Sequence, residues 1–167
     1  ATIVPSIAAY LETLTASTDS STVVGPAVTN ATPSSSATSP SKLLSAYGFS
    51  ASATAGLGTT IAIVGAYNNP TIQADLAAFS TFYGLAAASL TVVNQNGQTT
   101  NLPATDADWS LETAMDVEWA HAVAPGAKLV LVEAKSSSVA DMTTAVQTAA
   151  RLANVVSMSW GGGEWSG

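Results

Sequence analysis

Thr60-Ile61-Ala62-Ile63-Val64-Gly65 is a short apolar run closed by glycine, and it reads as a strand buried on both faces. Lys128-Leu129-Val130-Leu131-Val132-Glu133 repeats the pattern, and Val155-Val156-Ser157-Met158-Ser159 repeats it again. Ser89 to Val93 is a further strand, followed by the turn sequence Asn94-Gln95-Asn96-Gly97-Gln98. Helical spacing fills the gaps. Ile72, Leu76, Phe79, Phe82 and Tyr83 follow Pro70, a residue tolerated in a first helical turn. A second helix is expected from Trp109 to Val123, stopped by Pro125-Gly126, and a third from Val139 to Leu152. Continuously apolar strands alternating with helices specify an α/β fold, a parallel sheet covered on both faces.

Composition narrows the class. The chain has 167 residues, about one domain's worth, and 47% of them are hydrophobic, enough for a core and too many for a largely disordered chain. No apolar stretch approaches the ~20 residues of a membrane span. Four Lys+Arg against eleven Asp+Glu give a net charge of −7. With a pI near 4.2, nucleic acid is excluded as a partner, because phosphates require a basic patch. Zero cysteines exclude a disulfide scaffold, a thiol nucleophile and a Cys-based zinc site. Charged residues are only 9% of the chain, with Ser and Thr as the polar filler, and the first residue is Ala1. These features are those expected of a secreted, extracellular protein cut from a precursor and suited to an acidic medium.

Residues 1–38 read as an N-terminal arm or pro-segment remnant. They hold one apolar run, Ile7-Ala8-Ala9-Tyr10-Leu11, one glycosylation sequon, Asn30-Ala31-Thr32, and most of a Ser/Thr/Ala/Pro-rich stretch that runs from Ser21 to Pro40. Residues 39–167 carry the strand–helix pattern. The last strand runs directly into Gly161-Gly162-Gly163-Glu164-Trp165-Ser166-Gly167 with no helix to cover it. The expectation is the first part of a larger folded unit, with the open edge completed by more polypeptide.

Five of the eleven acids fall between Asp106 and Glu118, and no Lys or Arg is nearer than Lys128. Asp108 suits the N-cap of the helix beginning at Trp109. Glu112 and Asp116 are i, i+4 neighbours, and on a helical wheel they share a sector with Trp119 and Val123. Two neighbouring, partly desolvated carboxylates without a cation share a proton, the chemistry of a general base in acid. The alternative is an acidic helix start that complements the macrodipole and faces water. His121, the single histidine, lies across the wheel from both acids, so it reads as a packed or capping side chain and not as a triad or metal histidine. Asp106-Ala107-Asp108 is weak as a cation site and better as a turn and cap. Gly161-Gly162-Gly163 lacks the Gly-Lys-[Ser/Thr] of a phosphate loop; it is a flexible turn or a place where a substrate backbone comes close. Trp160 is core or pocket wall.

The segment from Trp109 through Glu112, Asp116 and His121 to Pro125-Gly126-Ala127, followed by a strand and then by Val155-Val156-Ser157-Met158-Ser159-Trp160-Gly161-Gly162, resembles the sedolisins, the acid-acting serine-carboxyl peptidases. Ser39-Pro40-Ser41-Lys42-Leu43-Leu44-Ser45-Ala46-Tyr47-Gly48-Phe49 resembles their entry into the catalytic domain. The resemblance implies a subtilisin-like, doubly wound, mainly parallel sheet of which this chain supplies the first part. It also implies an endopeptidase with a Ser-Glu-Asp triad. Glu112 would be the general base, Asp116 its orienting partner, and Ser159, Trp160 and Gly161 the strand end that binds substrate. The nucleophilic serine, the oxyanion aspartate and a calcium site would lie outside this chain, on a C-terminal chain of the same precursor. Some members carry a further Glu just after the first strand, where this sequence has Gly65-Ala66-Tyr67. The competing expectation is a non-catalytic secreted binding or wall-associated domain on the same fold.

Overall fold

The computed structural model describes residues 38–163. Residues 1–37, all but the last residue of the expected 1–38 arm and including the sequon at Asn30, and the terminal Glu164-Trp165-Ser166-Gly167 lie outside the described residues. Helix α1 (Pro40–Ala46) begins with Ser39 as N-cap, its hydroxyl accepting from the Lys42 amide, and proline in the first turn. Then follow β1 (Thr60–Ala66), α2 (Ile72–Tyr83), β2 (Ser89–Asn94), α3 (Ala107–Val123), β3 (Lys128–Ala134), α4 (Val139–Leu152) and β4 (Val155–Ser157).

The four strands form one all-parallel sheet in the order β2-β3-β1-β4. β1 and β3 pair along their whole length, Thr60 opposite Lys128 through Ala66 opposite Ala134. Their side chains alternate between two cores. Ala62, Val64, Ala66, Val132 and Ala134 pack with Met142, Ala145 and Ala149 of α4. Ile63, Leu129 and Leu131 pack with Ile72 and Leu76 of α2 and Ala114 and Val117 of α3. The chain is therefore an α/β fold with helices on both faces, consistent with a subtilisin-like architecture. Among the described residues no helix is long and apolar enough to cross a membrane.

Several local details differ from the sequence reading. α3 starts at Ala107, two residues earlier than expected, and its N-cap is Asp106, not Asp108: Asp106 Oδ1 accepts from the Trp109 amide at 3.0 Å. Asp106 has extended backbone dihedrals, as a cap requires, whereas Asp108 is already in the first helical turn. Pro70 precedes the N-cap of α2, Thr71, and so lies outside the helix. Phe82 turns its ring outward while Ile72, Leu76 and Phe79 are buried. β4 is shorter than the expected Val155–Ser159 strand. It pairs with β1 only over Ile61–Ile63, and its other edge has no strand among the described residues. Asn154 sets that register by bracketing Thr60, accepting its amide through Oδ1 and donating its own amide to its carbonyl.

Gly65 lets helix and sheet approach closely. A Cβ at this position would lie 2.9 Å from Thr113 Oγ1 of α3. Thr113 is itself buried, so any larger residue in β1 would push away the helix that carries the acids.

Candidate active site

Connections from β1 and β3 leave the sheet on opposite sides. The one through α2 leads to the β2 edge and the one through α4 to the β4 edge. Adjacent strands with diverging connections open a crevice at their carboxyl ends, where doubly wound sheets bind ligands. Besides Asp75, which burial raises in the first turn of α2 against a hydrogen bond from Thr71, three acids of this region have raised pKa values.

Glu112 and Asp116 project from α3, both half-buried. Burial is the main cause of the upward shift at Glu112, and the negative charge of Asp116 adds to it. Burial also raises Asp116, but a hydrogen bond with the Ser159 side chain pulls it back down. That bond ties the acid pair to the segment leaving β4. The same segment is held by Trp160, whose Nε1 donates to the Val64 carbonyl of β1 at 3.0 Å. Ser159, Trp160 and Gly161 are otherwise exposed, and Trp160 is an edge wall, not core. The structure thus brings Asp116 to Ser159, with Glu112 beside Asp116 on α3 and Trp160 and Gly161 continuing from Ser159.

His121 is elsewhere. It is fully buried on the same helix, and its Nε2 donates to the Ala86 carbonyl beyond α2 at 2.9 Å. Its role is packing. Nearby, burial and then the charge of Glu118 raise the Tyr83 phenol. Among the described residues no group of three or more His, Asp or Glu side chains gathers as a metal site.

The third acid, Glu133, has no role in the sequence reading. It is fully buried near the end of β3, and Oε1 accepts the Asn69 amide at 3.0 Å. Burial pushes its carboxyl up to about 7 against the lowering effect of that hydrogen bond. One signal was available in the sequence: a single acid closing a continuous apolar run, with no basic residue in the strand's interior. Asn69 gave none. It arrives through Tyr67, which takes the left-handed backbone (φ +60°) that turns the chain as it leaves β1.

The chain resembles a solved structure of Pseudomonas sedolisin, a serine-carboxyl proteinase complexed with two molecules of pseudo-iodotyrostatin. The two share 24% sequence identity with a TM-score of 0.51 over 61% of this chain. The matched part is 30% of that structure's chain, so only a fraction of the proteinase is represented. No family model matches the sequence, and no curated protein does. At this identity the likeness establishes the fold: the described residues form part of a sedolisin-like α/β sheet.

Proposed function

We propose that this chain is the N-terminal portion of the catalytic domain of a secreted, acid-acting serine-carboxyl endopeptidase. The observation that carries the reading is the pairing of Glu112 with Asp116, two half-buried acids with raised pKa values on α3, the second of which is linked to Ser159 beyond the carboxyl end of β4. Glu112 is the general base: it accepts the serine hydroxyl proton as the oxygen attacks the peptide carbonyl, then passes it to the leaving amine. A carboxylate with a raised pKa suits this step in acid, where an imidazole would be protonated and useless. The charge of Asp116 makes the proton on Glu112 easier to hold, and its place one turn along α3 suits the orienting role that the sedolisin resemblance implies. The Ser159–Gly161 backbone lies along the substrate.

The serine, the oxyanion aspartate and any calcium ligands belong to further polypeptide of the same precursor. Two features support that division. Val155, Met158 and Leu152 around the open β4 edge expose 53%, 49% and 44% of their surface, an apolar margin that another part of the domain would cover. The matched stretch also spans less than a third of the sedolisin chain.

The experiment is hydrolysis of a denatured protein substrate between pH 3 and 7 by the complete gene product and its Glu112→Gln variant. Activity confined to acid, lost by about 10³–10⁴-fold in the variant with the fold intact, is the expected result. Equal turnover in both proteins refutes the assignment. Absence of turnover in both favours a non-catalytic binding domain.

A further inference from the structure

We propose that Glu133 is a positioning residue for the acid pair: its neutral carboxyl, seated under the Asn69 loop, holds the first turns of α3, and ionising it loosens that seat. The proposal rests on the catalytic reading of Glu112 and Asp116, but its physical content is testable without catalysis.

Glu133 lies opposite Gly65 of β1 and Asn94 of β2 in the middle of the sheet. Strand alternation puts it on the side of Leu129 and Leu131, beneath α2 and α3. Asn69, which bonds to it, reaches both helices. Its Nδ2 donates to the Ser110 carbonyl in α3 at 3.0 Å. Its Oδ1 accepts from the amide and hydroxyl of Thr71, the N-cap of α2, each at 3.0 Å. Ser110 precedes Glu112 by two residues and anchors again, Oγ donating to Asp106 O at 2.6 Å. One buried carboxyl therefore sits under the point from which both helices start.

An ionised carboxylate offers about four acceptor sites. At Glu133 the Asn69 amide fills one on Oε1, while Oε2 is buried without a hydrogen-bond partner of either kind. Nor does a neighbouring charge set its state. Lys128 and Lys135 flank it on β3 and beyond; α3 and its N-cap bring Asp106, Asp108, Glu112, Asp116, Glu118 and His121; α2 brings Asp75 and Tyr83; α4 brings Asp141 and Arg151; β1 and β2 bring none. Burial is the largest influence, followed by the Asn69 hydrogen bond. A charge in this site would be uncompensated, so the folded chain keeps the proton up to about pH 7, whereas an unfolded Glu loses it above the ordinary 4.5. The folded state binds more protons through that interval. Stability from Glu133 is thus complete below the unfolded value, falls as pH rises toward 7, and falls no further above it.

The test compares the intact protein with Glu133→Gln, which keeps the shape and the Oε1 acceptor but cannot ionise. Urea unfolding from pH 4 to 8 should show the wild-type folding constant dropping about two orders of magnitude relative to the variant. In the unmodified protein the Asn69 amide resonance should titrate near pH 7. The carboxyl carbons of Glu112 and Asp116 should carry a second inflection at that midpoint, absent in the variant. Parallel pH dependence in the two proteins, or an Asn69 amide that does not titrate, overturns the buried neutral carboxyl. A titrating Asn69 without the second inflection at Glu112 and Asp116 overturns the positioning role. None of these readouts depends on peptidase activity, so failure of the catalytic reading remains distinguishable. If Glu133→Gln does not fold, the two resonance titrations on the unmodified protein still decide.

Discussion

Two carboxyl centres, one on helix α3 and one on strand β3, reach raised pKa values by different routes. At Glu112 and Asp116 burial is partial, a neighbouring negative charge adds to it at Glu112, and the Ser159 hydroxyl moderates it at Asp116. At Glu133 burial is complete and a single backbone amide opposes it. The helix pair keeps a path to solvent and can exchange protons with it. The strand acid is sealed and can act only through the loop above it. Similar shifts in direction therefore carry different meanings, and exposure decides which acid is able to pass a proton to its surroundings.

Substitutions that touch one centre, both or neither can break this contrast. The largest effect on stability is expected at His121. It shares α3 with the acid pair but points to Ala86, so His121→Ala should leave the titrations of Glu112, Asp116 and Glu133 unmoved. It should nevertheless cost about 3 kcal/mol, because a fully buried ring is lost and the Ala86 carbonyl is left unpaired. Thermal unfolding alongside carboxyl NMR separates the two expectations; a displaced Glu112 titration would mean that the helix is not the rigid carrier described here. Gly65→Ala comes next, at roughly 1–3 kcal/mol. Its Cβ would press on Thr113 from the strand position opposite Glu133, so it should disturb both centres at once. A Gly65→Ala protein of unchanged stability with both titrations intact would show that the close approach of α3 to β1 is not required.

The sequence carried more of the fold than of the site. The interior of the sheet was legible because β1 and β3 are buried on both faces, which leaves the unbroken runs Ile61–Val64 and Leu129–Val132. Val139–Leu152 was legible to its ends because Ser138 caps it and Arg151 closes it. The start of α3 was not, since Asp106 and Asp108 are equally good caps by type and only the backbone conformation distinguishes them. The order of strands was equally hidden: β1 lies between β3 and β4, a neighbourhood with no local signal. Within the site, the i, i+4 spacing of Glu112 and Asp116 was visible in one helix. The Glu133–Asn69–Ser110 chain was not, because it joins residues 64 and 41 positions apart.

The smallest effect is the most specific to the pair. Ser159 donates a side-chain hydrogen bond that favours the charged form of Asp116, and burial works against it. In Ser159→Ala the opposing influence disappears while burial stays, so the Asp116 pKa must rise. Glu112 feels Asp116 only as a charge, and a more often protonated Asp116 repels it less, so the Glu112 pKa should fall or hold. Glu133, which takes its hydrogen bond from Asn69, should not move. The sign for stability follows. Asp116 has a folded pKa above its unfolded value, so it favours folding most at low pH and progressively less as pH rises through that interval. Raising the folded value further widens the window over which this contribution is lost. Site-resolved carboxyl titrations from pH 2 to 8 in the wild type and Ser159→Ala measure all three groups together. An Asp116 midpoint that stays put or falls would show that Ser159 does not support the pair, and a shift shared by Glu133 would show that the two centres are not separate.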